Sequence, residues 1–288
     1  MAGFADLNVV SETNKALIQE VLAIAFNLGY ECVAVNNFIP ELKSKGKGGE
    51  KQTVVVPPDE ILLDEKICRQ FKRGRRCLRQ LSRFTTVIDD PAKAARLSSP
   101  EVQAYDLVAV EPTSEKTFHL ACGTLDIDII SLNMVERLPF YVKRPSINLA
   151  LDRGIFFEIK YAPTIRDSTA RRNTIAAAQS LVEVCKGKNV IVSSGSEKAM
   201  ELRAPYDVMN LNLLFGLSPA QAKDSVSTNC RRILKHAEAR KMRKCAIQIM
   251  QCSSLSVTDV QKDKRKRKSE IPVDNEDDQY QMKKCKDT

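Results

Sequence analysis

The chain has 288 residues, 43% of them hydrophobic, with 45 Lys/Arg against 36 Asp/Glu and a pI near 9.1. That length is ample for a real core in one large or two small domains, while no apolar run is long enough to span a bilayer and no basic region followed by an apolar stretch opens the chain, so neither membrane insertion nor a secretory signal is expected. The 9 cysteines are scattered without a C-x-x-C pair, which reads as reduced, idle thiols rather than a disulfide or metal framework.

The first element is a strand, "FADLNV". Alternation puts Ala5, Leu7 and Val9 on one face and Phe4, Asp6 and Asn8 on the other. An Asp and an Asn on one face of a first strand either line a site or are the polar remainder of one. Residues 14–28 read as a helix with Leu17, Val21, Ile24 and Leu28 on one stripe and Gly29 to end it. "CVAVNN" is the second strand, and "KSKGKGGEK" at residues 43–51 is a Gly/Lys loop. Basic side chains then crowd around "FKRGRRCLR": Lys66, Arg69, Lys72, Arg73, Arg75, Arg76, Arg79 and Arg83. Of these, Arg69, Arg73, Arg75 and Arg76 are a candidate polyanion-facing patch.

Further strands are expected at "FTTVIDD", "YDLVAVEP", "DIDIISL", "FFEIKYA", "NVIVSSG" and "YDVMNL". A long helix spans residues 167–186, with Ile175, Ala178, Val182 and Cys185 on one stripe and Gly187 following. Ser218-Pro219-Ala220-Gln221 is a capping box with Pro at the first helical position. From Ser253 the pattern dissolves into a charged tail, expected to be disordered, so the domain reading is a folded body over 1–252 and a tail over 253–288. The tail takes 9 basic and 8 acidic residues, leaving 36 and 28 in the body, a surplus of +8 that points to a polyanion partner. Within the tail, Lys264, Arg265, Lys266, Arg267 and Lys268 form an unbroken cluster that reads as a nuclear import signal or nucleic-acid contact.

About eight strands alternating with helices suggest an irregular parallel β/α barrel, with a doubly wound open sheet as the rival. Both folds place functional residues at the C-terminal ends of strands. The chemistry available there is limited. His119 and His236 both fall in helix-like stretches, and no H-x-H, H-E-x-x-H, Cys/His cluster, P-loop or G-x-G-x-x-G occurs. Asp6, Asp89, Asp90, Glu111, Asp126 and Asp128 lie in or at the ends of strands, where carboxylates suit Mg²⁺ but equally cap helices and shape turns. The segment "KYAPTIRDSTARR" leaves a strand and opens the long helix. Arg171 and Arg172 therefore sit in its first turns, where the helix dipole disfavours cations unless an anion is bound. Lys160, Arg166, Ser168, Arg171 and Arg172 are the candidate phosphate-binding group; a pair of solvated arginines is the alternative reading.

Long blocks carry a resemblance. "YVKRPSINLALDRGIFFEIKYAPTIRDSTARRNTI", "CKGKNVIVSSGSE", "LRAPYDVMNLNLLFGLS" and "VSTNCR", with "LGYECVAVNN", "YDLVAVEP", "FHLACGTLDIDII" and "FADLNV" before them, closely resemble the TIM-barrel-like thirty-kilodalton protein subunit of archaeal and eukaryotic ribonuclease P. The resemblance runs from Phe4 to about Arg243 and leaves out the Gly/Lys loop and the tail. It implies a (β/α) barrel of seven to eight mostly parallel strands in a non-catalytic RNA-binding subunit. The ribonucleoprotein removes the 5′ leader of precursor tRNA, and its RNA performs the chemistry with Mg²⁺, so no cofactor is expected on this chain. The implied partners are ribonuclease P RNA, RNase MRP RNA, precursor tRNA through the holoenzyme, and other protein subunits including a small RRM-like one. Nuclear and nucleolar residence follows. The resemblance also places the fold beside the polymerase-and-histidinol-phosphatase superfamily, whose hydrolases carry an H-x-H metal motif on the first strand. Here those positions are Asn8 and Val10, which makes Asp6 and Asn8 a degenerate active-site strand. A metal-dependent phosphoesterase on the same barrel, the competing reading, requires histidines this chain lacks; a nuclear interaction protein without RNA contact leaves the basic surplus unexplained.

Overall fold

Seven β-strands, all parallel and hydrogen-bonded in sequence order, organise the computed structural model, which describes residues 3–10, 15–41, 55 and 78–242. They are β1 (Phe4–Val10), β2 (Tyr30–Ile39), β3 (Arg79–Ile88), β4 (Leu107–Pro112), β5 (Ile129–Ser131), β6 (Phe156–Lys160) and β7 (Val190–Ser193). The helices are α1 (Lys15–Leu28), α2 (Pro100–Gln103), α3 (Glu115–Gly123), α4 (Arg144–Asp152), α5 (Ala162–Arg166), α6 (Ser168–Cys185), α7 (Pro205–Leu214), α8 (Pro219–Val226) and α9 (Thr228–Met242). β7 returns to β1: Val9 bridges Ser196, Val10 N donates to Ser196 O at 2.9 Å, and Gly195 N donates to Asn8 O at 2.8 Å. The sheet is therefore a nearly closed barrel, not the open doubly wound alternative. The chain divides into two units, 1–246 and 247–288, and every described residue belongs to the first. The boundary at 252, the Gly/Lys loop at 43–51, the patch of Arg69, Arg73, Arg75 and Arg76, and the cluster from Lys264 to Lys268 lie outside the described residues.

Pleating decides what fills the barrel. Ala34 on β2, Leu81 on β3, Leu107 and Ala109 on β4, Ile129 on β5, Phe156 on β6 and Ile191 on β7 form one buried apolar cluster with Ala5 and Leu7. Helix α9 closes this cluster from below with Cys230, Ile233 and Ala237. Two residues further up each strand, the same face turns polar: Asn36, Arg83, Glu111, Ser131, Glu158 and Ser193 are all buried. The outward strand faces, among them Val108, Val110, Ile130, Phe157 and Ile159, pack with Phe118, Ile147, Ala178 and Leu181 of the helices.

Local signals behave as their chemistry requires. Gly29 has φ +102° at the end of α1. Asp167 caps α6 by accepting from Ala170 N, and α6 ends at Lys186 in the left-handed region. Ser218 and Gln221 form the reciprocal capping box of α8. Three expectations are corrected. The eighth strand, "YDVMNL", is helix α7: Pro205 occupies its first turn, and the buried pair Val208 and Asn212 is spaced i, i+4 rather than alternating. On α1 the buried stripe is Ile18, Val21, Leu22 and Ala25, while Leu17 is 42% exposed. In β1 the alternation breaks, because Asp6 pairs with Val33 while Val9 pairs with Val35, three steps against two. This bulge turns both Leu7 and Asn8 inward, so Asp6 and Asn8 do not share a face.

Candidate nucleic-acid interface

The mouth of the barrel, where this architecture places its chemistry, is filled by a closed hydrogen-bond network. Arg83 reaches from β3 across the interior to Glu158 on β6, its NH2 donating to Oε2 at 2.6 Å and its NH1 to Oε1. The same NH1 donates to Leu7 O at 2.8 Å, the carbonyl at the β1 bulge. Arg83 Nε donates to Thr85 Oγ1 at 3.0 Å, and Thr85 Oγ1 donates to Asn36 Oδ1 at 2.7 Å. Asn36 Nδ2 donates to Asn8 Oδ1 at 2.8 Å, and Asn8 Nδ2 returns to Glu158 Oε1 at 3.2 Å. Ser193 Oγ adds a bond to Glu158 Oε1 at 2.6 Å. Neither side chain of the ion pair is exposed. Burial alone would push the Glu158 carboxyl up, but the Arg83 guanidinium and the Ser193 hydroxyl hold it down at about 2.

Asp6 points instead to the β1–β7 seam, where Oδ1 accepts from Ser194 N at 3.1 Å and Asn8 N at 3.2 Å. Its Oδ2 is buried without a hydrogen-bond partner among the described residues. Burial pushes this carboxyl up to about 6 despite the Ser194 and Asn8 donors.

These residues do not fit the divalent metal of an H-x-H hydrolase. Asn8 spends both amide atoms inside the network, Val10 carries no ligand atom, and a guanidinium stands among the remaining donors. The other carboxylates disperse. Glu111 accepts from Lys160 Nζ at 3.0 Å in the mouth. Asp90 accepts from Ala92 N at 3.0 Å to cap a 3₁₀ turn, and Asp89 pairs with Lys93. Asp128 lies with α9: Arg240 Nε donates to its two oxygens at 3.2 and 3.1 Å, and His236 Nδ1 is 2.8 Å from its Oδ1. His119 lies 3.3 Å from Ser146 Oγ on a different helix pair. Among the described residues no group of three or more His, Cys, Asp or Glu is arranged for a metal. Cys32, Cys122, Cys185 and Cys230 are free thiols, and burial pushes Cys122 and Cys185 up to about 12.

The candidate phosphate group is brought to one side of the mouth, but its members are engaged differently. Lys160 is paired with Glu111. Arg166 is gripped by Glu201, Nε to Oε1 at 2.6 Å and NH2 to Oε2 at 2.7 Å, with Glu197 at 3.2 Å. Asp167, not an external anion, serves the N-terminus of α6; the N–H groups of Ala170 and Thr169 hold its carboxyl below the usual range. Ser168, Arg171 and Arg172 are exposed. Arg171 Nε is tethered to Thr164 O at 2.7 Å. Two grooves flank α6. One of about 490 Å³ lies against the loop carrying Leu138 and Tyr141, and one of about 340 Å³ lies against α7. Arg83, counted with the basic stretch from its sequence position, is corrected to a barrel-interior residue by its i, i+2 spacing from Leu81. Sequence reading missed the Arg83–Glu158 pair altogether. Its signal was present: one Arg and one Glu, each two residues past an inward apolar residue in a strand.

Comparison with known proteins agrees with this architecture. A family model described as RNase P subunit p30 matches residues 3–242. The chain is 44% identical over 243 residues to the Mus musculus ribonuclease P protein subunit p30, covering 84% of this chain and 88% of that one. It is 33% identical over 217 residues to the Saccharomyces cerevisiae ribonuclease P/MRP protein subunit RPP1, covering 74% and 69%. A chain in the cryo-EM structure of archaeal ribonuclease P with mature tRNA superposes with a TM-score of 0.58 at 17% identity, over 85% of this chain and 97% of that one, and shares its fold. With a matching family model over its whole barrel and a mouse relative at that identity, the chain belongs to the RNase P subunit p30 family.

Proposed function

We propose that this chain is a non-catalytic, RNA-binding protein subunit of ribonuclease P, acting in removal of the 5′ leader from precursor tRNA and shared with RNase MRP. The observation that carries this reading is the Arg83–Glu158 network, which fills the barrel mouth with mutually satisfied groups where a hydrolase needs open ligands. The chain supplies positive charge and shape, and Mg²⁺ belongs to the RNA. Its partners are the ribonuclease P and RNase MRP RNAs and neighbouring protein subunits, a small RRM-like one among them. The exposed Arg171 and Arg172 face phosphates, and Arg69, Arg73, Arg75 and Arg76 are further RNA-contacting residues by their charge. Residence in the nucleus and nucleolus follows from the basic cluster of the tail.

The test has two arms. The purified chain cleaves no precursor tRNA with or without Mg²⁺ or Mn²⁺, whereas immunoprecipitation of the full chain from cells recovers ribonuclease P RNA and 5′-processing activity. Metal-dependent turnover that copurifies with the chain and is lost on Asp6→Ala overturns the proposal.

A further inference from the structure

The smaller groove, between α6 and α7, has a floor and a rim of different chemistry. Ile165, Ile175, Leu211 and Leu214 supply an apolar floor to a cavity of about 340 Å³. Leu214 stays 55% exposed, so the described residues leave this floor partly uncovered. Arg171, Arg203 and Asp207 are the charged residues of the lining. Both arginines are fixed by backbone carbonyls. Arg171 Nε donates to Thr164 O at 2.7 Å, and Arg203 NH1 donates to Met200 O and Leu202 O, each at 2.8 Å. The tethers leave both terminal nitrogens of Arg171 and the NH2 of Arg203 without hydrogen-bond partners among the described residues. Arg166, next door, is fully taken up by Glu201 and Glu197. Asp207, in the first turn of α7, makes no hydrogen bond or ion pair among the described residues.

We infer that this groove holds one unpaired guanine nucleotide of an RNA. Two guanidinium groups oriented in advance suit a phosphate and lose little freedom on binding. An apolar slot suits the face of a base, and unpaired bases are what proteins read in RNA. The volume lies at the small end for ligand cavities, roughly 300–1,000 Å³, and admits one nucleotide rather than a helix. A carboxylate among these groups repels an acidic peptide. It matches the one base whose Watson–Crick edge offers two adjacent N–H donors: Asp207 accepts from N1–H and N2–H of guanine while Arg171 and Arg203 hold the phosphate. The inference rests on the reading of the chain as an RNA-binding subunit.

The experiment titrates the full chain with single-stranded oligouridylates carrying one central guanosine, inosine or adenosine, and separately with ribonuclease P RNA, over a range of salt. The guanosine oligomer binds about tenfold more tightly than the other two, the discrimination expected of a bidentate contact. Asp207→Asn removes the preference and leaves the salt slope in place. Leu214→Trp, at an exposed position the fold tolerates, fills the slot and weakens oligomer binding about tenfold. Arg171→Ala weakens all three and makes the slope shallower by roughly one unit. Equal affinity for the three oligomers, with ribonuclease P RNA still bound, overturns the guanine site alone. So does a Leu214→Trp chain that binds RNA normally but no longer copurifies with its protein partners, which makes the groove a protein contact. A wild-type chain that binds none of these RNAs overturns the RNA-binding reading with it.

Discussion

Two buried carboxyls, on strands β1 and β6 with β7 between them, answer acid in opposite ways. Glu158 has a pKa near 2 in the folded protein, below its ordinary 4.5, so its contribution to stability is present above that ordinary value and is lost as pH falls through about 2. Asp6 is raised from 3.8 to about 6, chiefly by burial. Between those values the folded chain holds a proton that the unfolded chain has released, so stability falls as pH rises across this window and the penalty is complete above it. A shift of this size corresponds to roughly 2–3 kcal/mol. Asp6→Asn keeps an oxygen for the Ser194 and Asn8 donors and cannot ionise. Relative to wild type, it gains on the order of 2 kcal/mol between pH 4 and pH 7. Urea unfolding at the two pH values checks this; parallel behaviour of both proteins across the window shows that Asp6 does not titrate there.

At the scale of elements, α9 is what turns a curved sheet into a sealed body. Its Cys230, Ile233 and Ala237 cover the apolar floor of the barrel. Its last turn carries Arg240, only 1% exposed, whose fork spans Asp128, Gln103 Oε1 at 2.7 Å and the carbonyls of Tyr105 and Asp106 at 3.2 and 3.3 Å. Lys cannot span those acceptors. Arg240→Ala, which leaves buried Asp128 with only His236 Nδ1 and the Val108 N–H beside it, costs about 3–5 kcal/mol by the standard of broken buried pairs, and Arg240→Lys recovers less than half. Denaturant midpoints of the three proteins decide it; a loss below about 1 kcal/mol for the Ala variant means the fork is ordinary surface pairing. This function of α9 was illegible in sequence, because "RRILKHAEARKM" shows a generic basic amphipathic pattern and nothing in it says which Arg faces inward. Strands with continuous aliphatic runs were legible, since both faces of a barrel strand are covered. The "YDVMNL" segment misled because Met209, Leu211 and Leu213 alternate with Asn210 and Asn212, and only the preceding Pro205 favoured a helix.

On the scale of the whole molecule, the resemblance carried by long blocks located the barrel and its lack of an H-x-H pair, but not which groups fill its mouth. That required knowing that β3 and β6 face each other across the interior, a relation between residues 75 apart that no local pattern encodes. The phosphate group was legible as a cluster of charges; which of them are already neutralised by Glu111, Glu197 and Glu201 was not, because those acids come from β4 and from the segment after β7. The tail is tested at this scale too. A fluorescently tagged chain lacking residues 262–288 loses nuclear accumulation relative to the full chain when imaged in cells, and an unchanged distribution removes the tail as import signal. The closed knot at the barrel mouth also bears on what substitution can do here. Imidazole placed at position 8 gains no metal while Arg83 stands in the cavity, and removing Arg83 first strands Glu158 at a cost of about 3–5 kcal/mol against a total stability of about 5–15. No single substitution opens this mouth to a metal without first giving up stability, so the network works as a ratchet that keeps the barrel shut.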